Sequence, residues 1–204
     1  MICKFLVMFS ALFSMTHAES GTFLLLLGPS GSGKSTLIRH LQDIDARFVY
    51  ISPYTTRELR LGEIDKVHVD LENIQEMERN GKLLTVNSIY GIYYATPKDA
   101  IDNALKEGNI PVLDWPIDEM DIMMNHYGSN LLTIYVEPES LDALEIHLTV
   151  DGRDKEGKRF AAGKSELQKY YRGDYDHLIH YKVLNIDGQS AVIANSIYQT
   201  IRTN

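Results

Sequence analysis

Residues Gly28 to Ser35 read G-P-S-G-S-G-K-S and satisfy the spacing G-x-x-x-x-G-K-[ST] in full. Glycines in such a loop let the backbone turn so that successive N–H groups point inward, an arrangement made for phosphate oxygens. A helix opening directly after the loop adds further donors and a partial positive charge. In that setting Gly28, Ser30, Gly31, Ser32, Gly33, Lys34, Ser35 and Thr36 are expected to hold the phosphates of a nucleoside triphosphate, ATP in the first instance. Lys34 would reach the β- and γ-phosphates, and Ser35 would ligate Mg²⁺. The bland alternative is a glycine-rich turn with a chance lysine. The apolar strand before the loop and the helix after it argue against that.

Two further groups have the right chemistry. Asp114 ends the apolar run I-P-V-L-D, and α/β sheets place their ligands at the C-terminal ends of strands. Asp114 is therefore expected to hold Mg²⁺, through water, or to orient an acceptor; a helix N-cap is its competing role. Arg57 and Arg60 stand three apart in the polar stretch Y-T-T-R-E-L-R-L-G-E. Guanidinium groups bind phosphate bidentately, so this pair could clamp the phosphate of an acceptor, although surface arginine pairs are common.

The elements that must position these groups follow from pattern. Thr22–Leu27 is a continuous apolar run, as in a strand buried on both faces of a parallel sheet. Strands are also expected at 47–52, 109–114 and 130–138, with a last one in H-L-I-H-Y-K-V-L-N-I. Helices are expected at 35–42, 71–80, 97–107, 139–148, 164–171 and 190–201, with a short one ending near Asn125. Residues 82–96 suggest strands turning near Gly91, and 53–70 read as irregular. Strands alternating with helices predict an α/β fold with a largely parallel core sheet and a more antiparallel insert over 55–96. The stretch 174–181, rich in tyrosine and histidine, reads as a strand edge packing on the core.

The 204 residues suffice for one domain with a buried core. A net charge of −8 makes binding to a nucleic-acid backbone by bulk electrostatics a poor expectation. The single cysteine, Cys3, excludes an internal disulfide, and the seven histidines form no metal-binding motif. The first residues stand apart: Lys4, an apolar run from Phe5 to Met15, then Thr16 and Ala18. That is the layout of a signal peptide cut after Ala18; the other reading is a start assigned too early, with Met15 as the true first residue. ATP-dependent chemistry favours the cytoplasm, with export as the alternative. Residues 1–18 are left out of the fold, and no stable membrane association is expected once they are removed.

G-P-S-G-S-G-K-S-T-L, followed at this distance by T-T-R-E-L-R-L-G-E and then G-I-Y-Y-A-T-P, resembles the guanylate kinase family from about Thr22 to the end of the chain. The resemblance implies a P-loop NTPase fold with a core (19–52, 97–148 and 166–204), an acceptor-binding insert (53–96) and a mobile lid (149–165). It implies that Arg57, Arg60 and Tyr94 bind the acceptor's phosphate, that Glu63 pairs with one of those arginines, and that Thr96 faces the acceptor base. It also implies that Arg153 and Arg159 are lid arginines, which join Lys34 and Arg57 in stabilising charge on the phosphoryl group in flight. The partners implied are MgATP and a nucleoside monophosphate, GMP first.

Four positions depart from the family pattern. Pro53 stands in place of a serine, Thr85 in place of the acidic residue that reads guanine, and Pro116 in place of a second aspartate, with Asp118 as a possible substitute. H-Y-K-V stands where a late asparagine is expected to contact adenine. Phosphate-handling residues thus survive, while base-reading or acceptor-orienting positions have changed. Three readings follow: phosphoryl transfer from ATP to GMP, the same transfer to another nucleotide or a sugar phosphate, or a binding module without turnover. Intact Lys34 and Ser35 argue against the third.

Overall fold

The alternation of side chains along one strand decides the architecture. In the computed structural model, which describes residues 21–59, 66–89, 91–150, 152, 154 and 156–203, strand β1 (Phe23–Leu27) has no solvent exposure at any residue. Phe23, Leu25 and Leu27 face one hydrophobic cluster, Leu24 and Leu26 another. A strand apolar on both faces requires a layer of helices on each. Truncating Leu25 to alanine is expected to cost about 2–5 kcal/mol.

β1 is the centre of a five-stranded sheet in the order β2-β7-β1-β8-β9. Its neighbours are β7 (Ile110–Asp114) and β8 (Leu131–Pro138), with β2 (Phe48–Tyr50) beyond β7 and β9 (Tyr181–Asn185) beyond β8, and every pairing is parallel. Helices α1 (Lys34–Ile44) and α7 (Ser190–Thr203) cover one face with Leu37, Leu41, Ile193 and Ile197. The other face is covered by α3 (Lys98–Lys106), α4 (Met120–Tyr127), α5 (Leu141–Val150) and α6 (Lys158–Arg172). Since all five strands point the same way, the segments that leave β1, β2, β7, β8 and β9 emerge along one edge.

The chain after β2 enters a second sheet of order β4-β3-β6-β5, built from β3 (Tyr54–Thr55), β4 (Val67–His68), β5 (Leu83–Ile89) and β6 (Ile92–Pro97), with α2 (Leu71–Arg79) between β4 and β5. β6 runs antiparallel to β3 and β5, while β3 and β4 are parallel. The expectation of irregular chain over 53–70 is thus corrected by two short strands. Pro97 ends β6 and caps α3 rather than opening the helix, because its carbonyl closes the first turn from an extended backbone.

Three other expectations change. The second strand is shorter than 47–52, at Phe48–Tyr50. Helix α6 starts at Lys158, so a helix occupies much of the segment 149–165. The cause is Asp154, whose carboxylate accepts the backbone N–H groups of Arg159 and Phe160, both at 2.8 Å, satisfying two orphan donors of the first turn. The stretch 174–181 is mostly not strand edge: Asp176–Leu178 is a 3₁₀ turn, Tyr175 is buried, and only Tyr181 enters β9. Residues 1–20, with the leader and Cys3, lie outside the described residues, and no described helix is long and apolar enough to cross a membrane.

Candidate functional site

The P-loop joins β1 to α1 and needs glycine for steric reasons. Gly28 has φ +124°, and a Cβ there would meet the Val136 carbonyl oxygen of β8 at 2.5 Å. Gly33, at φ +89°, leaves no room for a Cβ because the side-chain amide of Asn185 fills that space. Both demands are backbone conformations that side chains disfavour, combined with close approach. Within the loop, Ser32 is 2% exposed and its hydroxyl has no hydrogen-bond partner among the described residues. An orphaned buried hydroxyl in a turn of glycines suits a phosphate ligand.

Lys34 is the first residue of α1, and its ammonium donates to the carbonyls of Gly28 at 2.6 Å and Pro29 at 2.8 Å. The cation is thereby held over the loop's opening strand end. Burial pushes its pKa below the usual lysine value; the carboxylates of Asp114 and Glu166 oppose that shift. Glu166, on α6, accepts the Tyr135 hydroxyl at 3.0 Å, and burial pushes its own carboxyl upward against the pull of Lys34. Ser35 and Thr36 follow on the first turn of α1, with Ser35 exposed.

Asp114 is exposed at the C-terminal end of β7, in register with Leu26 of β1. Its carboxylate accepts the Tyr50 hydroxyl at 3.1 Å from the end of β2. The strand order therefore brings an aspartate beside the P-loop. Together with the Ser35 hydroxyl it offers hard oxygen donors, which fit Mg²⁺ shared with phosphates and water. Among the described residues no three His, Cys, Asp or Glu side chains form a metal cluster, as such a shared site requires none.

Arg159, in the first turn of α6, directs its guanidinium to the Ser30 hydroxyl of the P-loop at 3.4 Å. The Asp154 cap fixes that turn. Arg153 lies outside the described residues, as do Arg60 and Glu63.

In the second sheet, Arg57 follows β3 and donates through Nη1 to the Glu58 carbonyl at 2.9 Å, while its own carbonyl meets His68 Nδ1 at 3.0 Å. Tyr94, on β6, sits opposite Thr55, so Arg57 and Tyr94 belong to one corner of that sheet. Thr96 is buried and faces Thr85 across the β5–β6 pair, and the Thr85 hydroxyl donates to that of Thr96 at 3.2 Å. Two positions that sequence treated separately are one hydroxyl pair.

Two residues near the site have roles that the sequence did not indicate. An asparagine does stand late in the chain, five residues beyond His180: Asn185 closes β9, buried, and donates to the Ser32 carbonyl of the P-loop at 2.8 Å. Its signal was the strand-end L-N-I-D, obscured because the strand starts only at Tyr181. Asp118 is committed elsewhere, accepting the Tyr175 hydroxyl at 2.8 Å and pairing with Lys169 at 3.1 Å; the tyrosine hydroxyl, then Lys169, hold its carboxyl below the ordinary range. Tyr50 and Glu166 carried no sequence signal, because strand order and helix packing bring them in.

Comparison with known proteins agrees with this geometry. The family model for guanylate kinase matches residues 20–187. The chain is 33% identical over 180 residues to a guanylate kinase of Carboxydothermus hydrogenoformans, covering 85% of each. It is 32% identical over 173 residues to the guanylate kinase of Rickettsia typhi, covering 81% of this chain and 85% of that one. Among solved structures, a guanylate kinase from Anaplasma phagocytophilum superposes with a TM-score of 0.65 at 20% identity, covering 90% of this chain and 86% of the other. A shikimate kinase from Acinetobacter baumannii gives 0.50 at 16% identity, with 90% and 94% covered, a likeness of fold alone. With the P-loop, its neighbouring aspartate and the second sheet in place, the chain belongs to the guanylate kinase family.

Proposed function

We propose that the protein transfers the γ-phosphoryl group of MgATP to GMP, giving ADP and GDP. The observation that carries this is the intact P-loop with Lys34 and Arg159 both directed at it, in a chain of this family. An acceptor phosphate oxygen attacks the γ-phosphorus in line. A new P–O bond forms as the bond to the β,γ-bridging oxygen breaks, and ADP leaves with that electron pair. No covalent enzyme intermediate is needed, so the protein contributes positioning and charge neutralisation.

The P-loop amides and Lys34 bind the β- and γ-phosphates, and Arg159, with Arg153, neutralises charge on the phosphoryl group in flight. Arg57, Arg60 and Tyr94 hold the acceptor's phosphate, Glu63 orients an arginine, and Thr96 borders the base. Ser35 and Asp114 would hold Mg²⁺, which would supply neutralisation of the phosphates' negative charge. The segment 149–165 acts as the lid that excludes water, so that the acceptor rather than water receives the phosphoryl group. Consumption of ATP fits a cytoplasmic setting.

One observation supports a second reading, the same transfer to a wider set of acceptors. Thr85 and Thr96 offer two neutral hydroxyls bonded to each other. Neutral hydroxyls accept guanine's N1–H and 2-amino group more weakly than a carboxylate does, which weakens discrimination between bases. The test is ADP release by the Met15–Asn204 protein from MgATP with GMP, dGMP, AMP, CMP, UMP or ribose phosphates, each against Lys34→Ala. Turnover confined to GMP and dGMP supports the first reading. Comparable rates on other nucleotides support the second, and a folded protein inactive on all of them refutes both.

A further inference from the structure

His147, on α5, lies between two acceptors. Its Nδ1 is 3.0 Å from the Gly31 carbonyl of the P-loop, and its Nε2 is 3.1 Å from the carboxylate of Asp187, in the turn joining β9 to α7. A carbonyl and a carboxylate can only accept. A neutral imidazole carries one N–H and can satisfy only one of them, whereas the doubly protonated ring satisfies both. Asp187 also supplies the opposite charge that favours the cation.

We propose that His147 is a positioning residue for the ATP site, its doubly protonated ring tying the Gly31 turn of the P-loop to Asp187. The inference rests on reading Gly28–Ser35 as the ATP site. Gly31 has φ +90°, and a Cβ there would press on Leu144 and Leu148 of α5 at 3.2 and 3.1 Å, so this helix already backs the loop. His147 adds the polar tie to that apolar backing. Asn185 makes a parallel tie to Ser32 from the same β9–α7 turn region. His147 thus fixes the turn that presents the loop's N–H groups.

Charged groups on the described elements packed against this contact are Asp187, Glu139, Lys34, Arg159 and Glu145. Asp187 faces the ring, and its own backbone N–H donates to Glu139, in the β8–α5 connection, at 3.3 Å. From the P-loop, Lys34 is engaged with the Gly28 and Pro29 carbonyls, and from α6, Arg159 is directed at Ser30. Glu145 precedes His147 by two residues on α5 and is exposed. Of these, Asp187 is in direct contact with the ring. As pH rises through the ring's titration one N–H is lost, and the P-loop loses its tie or Asp187 loses its partner. Nucleotide binding should weaken in the same range.

Two measurements test this. In the nucleotide-free protein, the His147 ring is followed by NMR, its signals assigned by their loss in His147→Arg. It is expected to titrate above the free-histidine value of about 6.5, with the midpoint falling in Asp187→Asn. Separately, KM for MgATP and for GMP is measured from about pH 6 to 8.5 in wild type, His147→Ala and His147→Arg. Titration of the substrates is common to all three and cancels in the ratios. At low pH, KM for MgATP should be about tenfold higher in His147→Ala than in wild type, with KM for GMP unchanged and the gap closing as pH rises. His147→Arg, whose fork donates to both acceptors without titrating, should hold the low-pH wild-type value throughout. A ring that titrates at or below the free value and does not respond to Asp187→Asn overturns the inference, as does a MgATP KM ratio that stays flat with pH. Absence of ATP turnover in wild type overturns the proposed function instead, leaving the NMR result to decide on the tie itself.

Discussion

The side-chain amide of Asn185, at the end of the last strand, fills the space beside Gly33 in the first loop and donates to the Ser32 carbonyl at 2.8 Å. Residues 152 positions apart in sequence thus form one wall of the phosphate site. Gly33→Ala would force a side chain into φ +89° and onto Asn185. A strain of about 2 kcal/mol is expected, lowering Tm by roughly 4–8 °C. Asn185→Ala leaves the Ser32 carbonyl without its partner and should cost about 1–3 kcal/mol. Thermal unfolding of the three proteins checks both values, and KM for MgATP should rise in both variants.

Asp114 accepts the Tyr50 hydroxyl at 3.1 Å, which orients its carboxylate beside the P-loop. Asp114→Asn should reduce kcat by about 10²-fold and raise the Mg²⁺ concentration needed for half-maximal rate. Tyr50→Phe should show a weaker form of the same defect, about tenfold, because it acts only through the carboxylate. A Mg²⁺ titration of the initial rate separates the two from a simple loss of fold.

The Thr85–Thr96 hydroxyl pair predicts the direction of an engineered change in selectivity. Thr85→Glu supplies an acceptor for guanine's 2-amino group, which inosine monophosphate lacks. The ratio of kcat/KM for GMP over inosine monophosphate should rise by about 10–100-fold in the variant. Competition between the two acceptors at fixed MgATP measures that ratio directly.

Asp45 and Arg47 form a bidentate pair after α1, and Arg47's hydrogen bonds pull the Asp45 carboxyl down to about 2. A depressed carboxyl contributes stability above its unfolded value, near 3.9, and loses it as pH falls through the folded value. Arg47→Met should therefore lower Tm by a constant amount at neutral pH, with the difference vanishing between about pH 4 and pH 2. Thermal melts across that acid range decide the point.

The P-loop was legible in sequence because it is contiguous: eight residues, a strand before them and a helix after. The parallel sheet was legible from the doubly buried character of Phe23–Leu27. Other features depend on contacts that no local pattern carries. Helix α6 begins early because Asp154 caps it, whereas the sequence pattern places the start of that helix at 164. Thr85 meets Thr96 only through the register of β5 on β6, which includes an irregularity between Leu83 and Thr85. Asn185 and His147 reach the P-loop because β9 and α5 pack beside β1's neighbour, β8.

The most direct test of phosphoryl transfer is to follow the γ-phosphoryl group itself. ATP labelled at the γ-position is incubated with Mg²⁺, GMP and the Met15–Asn204 protein, and the products are separated. The prediction is label at the β-position of GDP, little inorganic phosphate, and a rate reduced at least 10²-fold in Lys34→Ala. Label appearing only as inorganic phosphate, or a GDP yield unaffected by Lys34→Ala, would contradict the assignment of this site to transfer between nucleotides.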